Sequence, residues 1–100
     1  MTKNKFGVTK SQYKILLNLV KKYFDVEQVF VFGSRVGDQY RPDSDFDIVI
    51  INGFTAEQET EFRLALQGSL FLYQVDLIDY IKITNLKLKQ GIDEQKVALV

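Results

Sequence analysis

Residues 29–51 read VFVFGSRVGDQYRPDSDFDIVII, and the order of residue types in this stretch decides the fold. A β-prone apolar run ends at Gly33-Ser34, and a polar segment carrying Gly37 and the single proline, Pro42, follows. Two aspartates, Asp45 and Asp47, then open the most apolar run of the chain, Phe46 to Ile51. Aspartate is depleted in strands. Side chains alternate along a strand, so Asp45 and Asp47 are expected on one face with Phe46 on the other. Two adjacent carboxylates repel each other and resist losing water, and a divalent cation between them relieves both costs.

Working outward, the first strand spans 28–32 and the second 45–51. The second is apolar on both faces beyond Asp47, which predicts an interior position in the sheet. Upstream, residues 1–8 are read as a polar, flexible N-terminus. Thr9 is the predicted N-cap of a helix, with Gln12 at the reciprocal capping position. Tyr13, Leu16, Leu17, Val20 and Phe24 recur at helical spacing, and the helix is expected to end near Tyr23. Downstream, Asn52-Gly53 closes the second strand. Thr55 with Gln58 repeats the capping signature ahead of a second helix reaching about Gln67. A third strand is read over 72–78, a third helix from Asn85 to Gly91 or Glu94, and a closing strand over 97–100. This order predicts a small α/β (α+β) domain, a mixed sheet with helices packed on it, occupying residues 9–100 as one unit.

Composition narrows the function classes. Apolar residues make up 46% of the 100 residues, enough for one core. Thirteen basic residues balance thirteen acidic ones, so net charge argues for no general nucleic-acid binding. Cysteine and histidine are both absent, which excludes disulfides, thiolate zinc sites and histidine bases. A metal here must be held by oxygen, which favours magnesium or manganese. The N-terminus shows no secretory pattern and no segment approaches the ~20 apolar residues of a membrane span. A cytoplasmic protein is expected.

The chemistry rests on a combination. Gly33 lets backbone approach a phosphate closely, and a helical turn starting at Ser34 would aim free N–H groups at an anion. Alone, Gly-Ser is an ordinary turn. The Asp45/Asp47 pair could instead guard a sheet edge, but the Val49-Ile50-Ile51 run that follows argues for an interior strand. Asp76 lies among apolar residues on the third strand and needs a compensating charge. If that strand lies beside the second, Asp76 reaches the same cation site. Asp79, three residues on, falls on the opposite face and is read as a strand end or cap. Arg35 and Arg41 flank the site and could neutralise phosphate or lie on the surface. Ser44 could cap or orient a carboxylate, while Tyr40, Phe46 and Tyr73 could pack a base or fill space. Three carboxylates on two strands facing an anion cradle match two-metal phosphoryl-type transfer, with ions ~3.5–4 Å apart. In that arrangement Asp45 and Asp47 hold both ions, and Asp76 holds one and accepts the proton of the incoming hydroxyl.

At these residues the chain resembles the DNA polymerase beta-type nucleotidyltransferases, in their minimal bacterial branch. The matching positions are Val31-Phe32-Gly33-Ser34-Arg35, then Ser44-Asp45-Phe46-Asp47-Ile48-Val49-Ile50, then Val75-Asp76-Leu77-Ile78. The resemblance implies transfer of a nucleoside monophosphate, AMP from ATP, to an acceptor hydroxyl with magnesium. It implies that Gly33, Ser34, Arg35 and Ser44 bind the nucleotide and that Asp45, Asp47 and Asp76 are the catalytic metal ligands. It also implies a HEPN-domain toxin as partner, silenced by modification, with this chain as antitoxin. Two other readings stay open: an antitoxin that masks its partner without transfer, and a small-molecule nucleotidyltransferase whose acceptor subunit is separate. The chain departs from the pattern at Val36-Gly37-Asp38, where a second arginine is usual, and at its C-terminus, where Glu-Gly is usual. An exposed sheet edge could serve a homodimer.

Overall fold

The computed structural model describes residues 6–35 and 45–100, with Ser34 described by its backbone alone. Helix α1 (Lys10–Tyr23) precedes strand β1 (Val29–Phe32), and a short turn of 3-10 helix, Gly33–Arg35, follows β1. Strand β2 (Phe46–Ile50), helix α2 (Ala56–Gln67), strand β3 (Val75–Asp79), helix α3 (Leu86–Gln95) and strand β4 (Val97–Ala98) complete the fold. The sheet order is β3-β2-β1-β4. β2 is interior, antiparallel to β1 and parallel to β3, while β4 runs antiparallel to β1 on the far edge. This is the expected mixed α/β architecture with every expected helix and strand in place.

Alternation along β2 divides the sheet into two faces. Phe46, Ile48 and Ile50 are fully buried. They share one core cluster with Leu16 and Val20 of α1, Phe62 of α2, and Val29, Val31 and Val75. Asp47 points to the other face. So does Val49, which is fully buried outside that cluster, as is Ile92 of α3.

The two capping signatures resolve differently. Thr55 accepts from the Gln58 backbone N–H and Gln58 Oε1 accepts from the Thr55 N–H, a complete capping box. Thr9 accepts from the Gln12 N–H at 3.3 Å, but the Gln12 side chain leaves the helix end. Its Nε2 donates to Leu70 O at 3.0 Å and its Oε1 accepts from Leu72 N–H at 2.8 Å. That clamp explains a second difference. Residues 72–74 were expected in the third strand, yet their segment is held by Gln12 and by Ser69 Oγ, which accepts from Phe71 N–H. β3 therefore starts at Val75.

The expected flexible N-terminus needs correction at residues 6–8. Phe6 and Val8 are each 1% exposed and belong to the main core cluster. Phe6 stacks on Tyr13 and meets Phe46 edge-on, each pair with ring centroids 6.3 Å apart. Two apolar side chains in a polar run carry no periodicity, so their anchoring is visible only once β2 is in place.

Candidate active site

β1 delivers the chain to Gly33 directly across from the start of β2, because Phe32 is the register partner of Asp47. Gly33 has φ +84, a left-handed conformation that glycine adopts without strain. A Cβ at this position would collide with Asp47 Oδ2. The glycine is thus required twice, by its backbone angle and by the carboxylate against it. The 3-10 turn Gly33–Arg35 that follows brings main chain over the acid-bearing end of β2.

On the other side of β2, Asp47 is the register partner of Asp76 on β3. Neighbouring strands lie about 4.8 Å apart, and register partners on parallel strands project to the same face. Asp45 sits one residue before β2, on that face as well, and is exposed, as is Asp76. The electrostatics register the crowding. Burial raises the Asp47 carboxyl above the ordinary carboxylate value, and the charges of Asp76 and then Asp45 push it further up. Among the described residues no three acidic side chains stand close enough to enclose a metal ion. The acids form an electrostatically coupled row whose side chains do not converge on one point.

Asp79 is placed on the opposite face, as alternation requires. It caps the 3-10 turn Tyr80–Lys82, accepting from Ile81 N–H at 3.1 Å, and accepts from Phe54 N–H at 3.4 Å. Asp79 thus matches its sequence reading as a cap, while Asp76 lies exposed beside Asp47 on the neighbouring strand.

Arg35 is where the structure departs most from expectation. It was expected to meet phosphate or solvent, yet it is fully buried. Its Nη1 donates to Phe6 O at 3.3 Å. Its guanidinium carbon lies 4.5 Å from the Tyr73 ring centroid and 5.1 Å from that of Phe46. A guanidinium with no exposed surface has none to offer a phosphate. Phe46 and Tyr73 pack against each other and against Phe71, so their role here is packing. Ser44, Arg41 and Tyr40 lie outside the described residues. The anchor that sequence reading missed is Phe6, whose only signal was an aromatic residue in a polar run.

A cleft of about 310 Å³ between α2 and the start of β3 is lined by Thr60, Arg63, Gln74 and Val75, not by the three acids. Val75 points to the face opposite Asp76, so this cleft is separate from the acid row.

The site side of this small mixed α/β domain thus carries a glycine-bearing turn set against a row of carboxylates on adjacent strands. The chain belongs to the polymerase beta nucleotidyltransferase family, whose domain model matches residues 14–100. Among solved structures it is similar to one described as "Crystal structure of the toxin-antitoxin with AMP-PNP". The TM-score is 0.66 at 22% identity, covering 88% of this chain and 72% of that one. At that identity the likeness concerns the fold. No curated protein sequence matches the chain significantly. Among the described residues no helix is long and apolar enough to cross a membrane.

Proposed function

We propose that this nucleotidyltransferase moves AMP from ATP to a hydroxyl of a partner protein, a HEPN-domain toxin, and acts as its antitoxin within the minimal branch of the family. The observation that carries the reading is Asp47, paired in register with Asp76 on one side and set with its carboxylate against Gly33 on the other. The similar solved structure is described as a toxin-antitoxin with AMP-PNP, which supports a toxin as partner and ATP as the nucleotide.

The chemistry of the donors fits a divalent cation, which would have to draw the three carboxylates together. The donors are all carboxylate oxygens, the hard ligands that magnesium takes. The upward pressure on Asp47 from two neighbouring charges is the repulsion a cation relieves. Asp45, Asp47 and Asp76 would hold it, and when bound it supplies charge neutralisation at the reacting phosphate. In this reading the chain's own residues bind the substrate and take its proton. The Gly33–Ser34 main chain cradles the triphosphate. The acceptor oxygen forms a bond to the α-phosphorus, the bond to the pyrophosphate oxygen breaks, and pyrophosphate leaves. Asp76, exposed at the edge of the row, takes the proton from the acceptor hydroxyl. Exposure of Asp45 and Asp76 leaves the site open, as a protein acceptor requires.

The test is a thermal shift with ATP, with and without magnesium, on the wild type and on Asp47→Asn, followed by intact mass of the partner. Ligand at 100 times its Kd stabilises the folded state by ~2.7 kcal/mol. A magnesium-dependent shift lost in the variant, and a gain of one AMP on the partner, are expected. One observation favours a second reading, the masking antitoxin: three acids do not close around a single point among the described residues. A stable complex with no transferred mass would establish that reading and overturn transfer.

A further inference from the structure

Arg35 is the one fully buried charged residue among those described, and the transfer chemistry above leaves it without a task. Its contacts are informative because of where their owners sit in the chain. Arg35 closes the turn that begins with Gly33 and Ser34. Phe46, one of the two rings under its guanidinium, is the residue between Asp45 and Asp47. Tyr73, the other ring, lies three residues before Asp76 in the segment that leads into β3. Phe6, whose carbonyl accepts from Nη1, meets the Phe46 ring edge-on.

From these contacts we infer that Arg35 is a positioning residue for nucleotide binding. It works from the buried face of the sheet, and it fixes the Gly33–Ser34 turn against the acid-bearing ends of β2 and β3. The inference rests on the nucleotidyltransferase reading for its functional consequence, not for its structural one. Each part of the site has its own tie to this guanidinium: the turn by covalent continuity, β2 through Phe46, β3 through Tyr73. A planar guanidinium can lie on two aromatic faces and still donate in its own plane, which an ammonium cannot do. Side-chain alternation places Phe46 and the two aspartates beside it on opposite faces. A shift of the Phe46 ring therefore moves Asp45 and Asp47 as a unit. Misplacement of about 1 Å at such a site can cost on the order of 100-fold in rate.

The test uses the full chain as wild type, Arg35→Lys, Arg35→Met and Tyr73→Leu. Amide hydrogen exchange is measured without ligand, and Mg-ATP affinity by calorimetry. The inference expects faster exchange in residues 33–35, 46–47 and 71–76 in all three variants, with α1 and α2 protected as in the wild type. It expects Mg-ATP binding weakened roughly tenfold or more in both arginine variants, with lysine giving no rescue. Tyr73→Leu, which keeps the arginine, is expected to weaken binding in the same direction by less.

Three results would overturn it. Unchanged exchange in Arg35→Lys with restored affinity would make Arg35 a phosphate ligand. Faster exchange spread evenly through α1 and α2 would make it a general core residue. Unchanged affinity despite a loosened turn would separate the turn from nucleotide binding. If the wild type itself binds no Mg-ATP, the nucleotidyltransferase reading fails while the exchange pattern still decides whether Arg35 fixes the turn.

Discussion

The two faces of the sheet at β2 and β3 follow opposite rules, one residue apart. On one face Phe46, Ile48 and Ile50 are fully buried and packed with both α1 and α2 side chains. On the other, Asp47 faces Asp76 in register, and its carboxyl is held above its ordinary value by burial and by two like charges. The first face stores stability. The second gives some of it up, because like charges on adjacent strands are destabilising unless a ligand compensates them. The difference predicts that substitutions on the two faces move stability in opposite directions.

The largest effect is expected at Phe46. It touches Phe6, Phe71, Tyr73 and Arg35. Phe46→Ala should destabilise by about 3–5 kcal/mol, the range for a buried phenylalanine, measured by urea denaturation. Retention of wild-type stability would break the assignment of this face as the core. Phe46→Leu keeps most of the volume, and it should recover more than half of that loss if packing is the cause.

Asp79 and Asp76 sharpen the comparison on a single strand. Asp79→Ala removes a carboxylate that accepts from Phe54 N–H and Ile81 N–H, and hydrogen bonds to charged groups are worth about 1.5–3 kcal/mol. Asp76→Ala removes an exposed carboxylate whose strand neighbour is Asp47, and it should leave stability unchanged or slightly higher. Equal destabilisation by the two would mean that Asp76 has a structural load.

This pair also shows what could be read from the chain beforehand. Alternation assigned Asp76 and Asp79 to opposite faces and Phe46 to the face opposite its flanking aspartates, because a period of two needs only the strand to be recognised. Period and capping chemistry gave the helices in the same way. Local signals could not show which partner a side chain would choose from distant sequence. Gln12 and Gln58 occupy the same place after a capping threonine. Gln58 closes its box, whereas Gln12 finds the 70–72 segment 58 residues away. Arg35 was open to a phosphate or a surface reading because it directly follows the Gly33-Ser34 turn. Its aromatic partners come from positions 46 and 73, and its carbonyl partner from position 6.

Gly33→Ala comes next in size and couples the faces to the turn. An alanine at φ +84 costs about 1–2 kcal/mol in backbone strain, and its Cβ meets Asp47 Oδ2. The carboxylate must move, so magnesium-dependent stabilisation by ATP should be lost along with that modest stability. A Gly33→Ala chain with a full ATP shift would show that the turn tolerates displacement of Asp47, and the close approach would then have no functional meaning.

A small effect, opposite in sign to those at Phe46, Asp79 and Gly33, belongs to Asp47→Asn. A carboxyl whose value is raised in the folded chain binds a proton there at a pH where the unfolded chain has released it. Between the two values the folded state holds more protons, so stability falls as pH rises through that window. The penalty is complete above the raised value and disappears below the ordinary one of 3.8. Asp47→Asn removes the charge at every pH. Its unliganded midpoint should exceed that of the wild type by about 1–3 °C near neutrality, a figure reduced for the solvent that screens a half-exposed carboxylate. The gap should close on acidification, as the wild type becomes protonated. Magnesium should reverse the order at neutral pH, stabilising the wild type more than the variant, because the carboxylate charges that repel one another are what attract the cation. A variant no more stable than the wild type at neutral pH would mean that the two faces are equally relaxed. A gap unchanged by acid would place its cause outside the carboxylate.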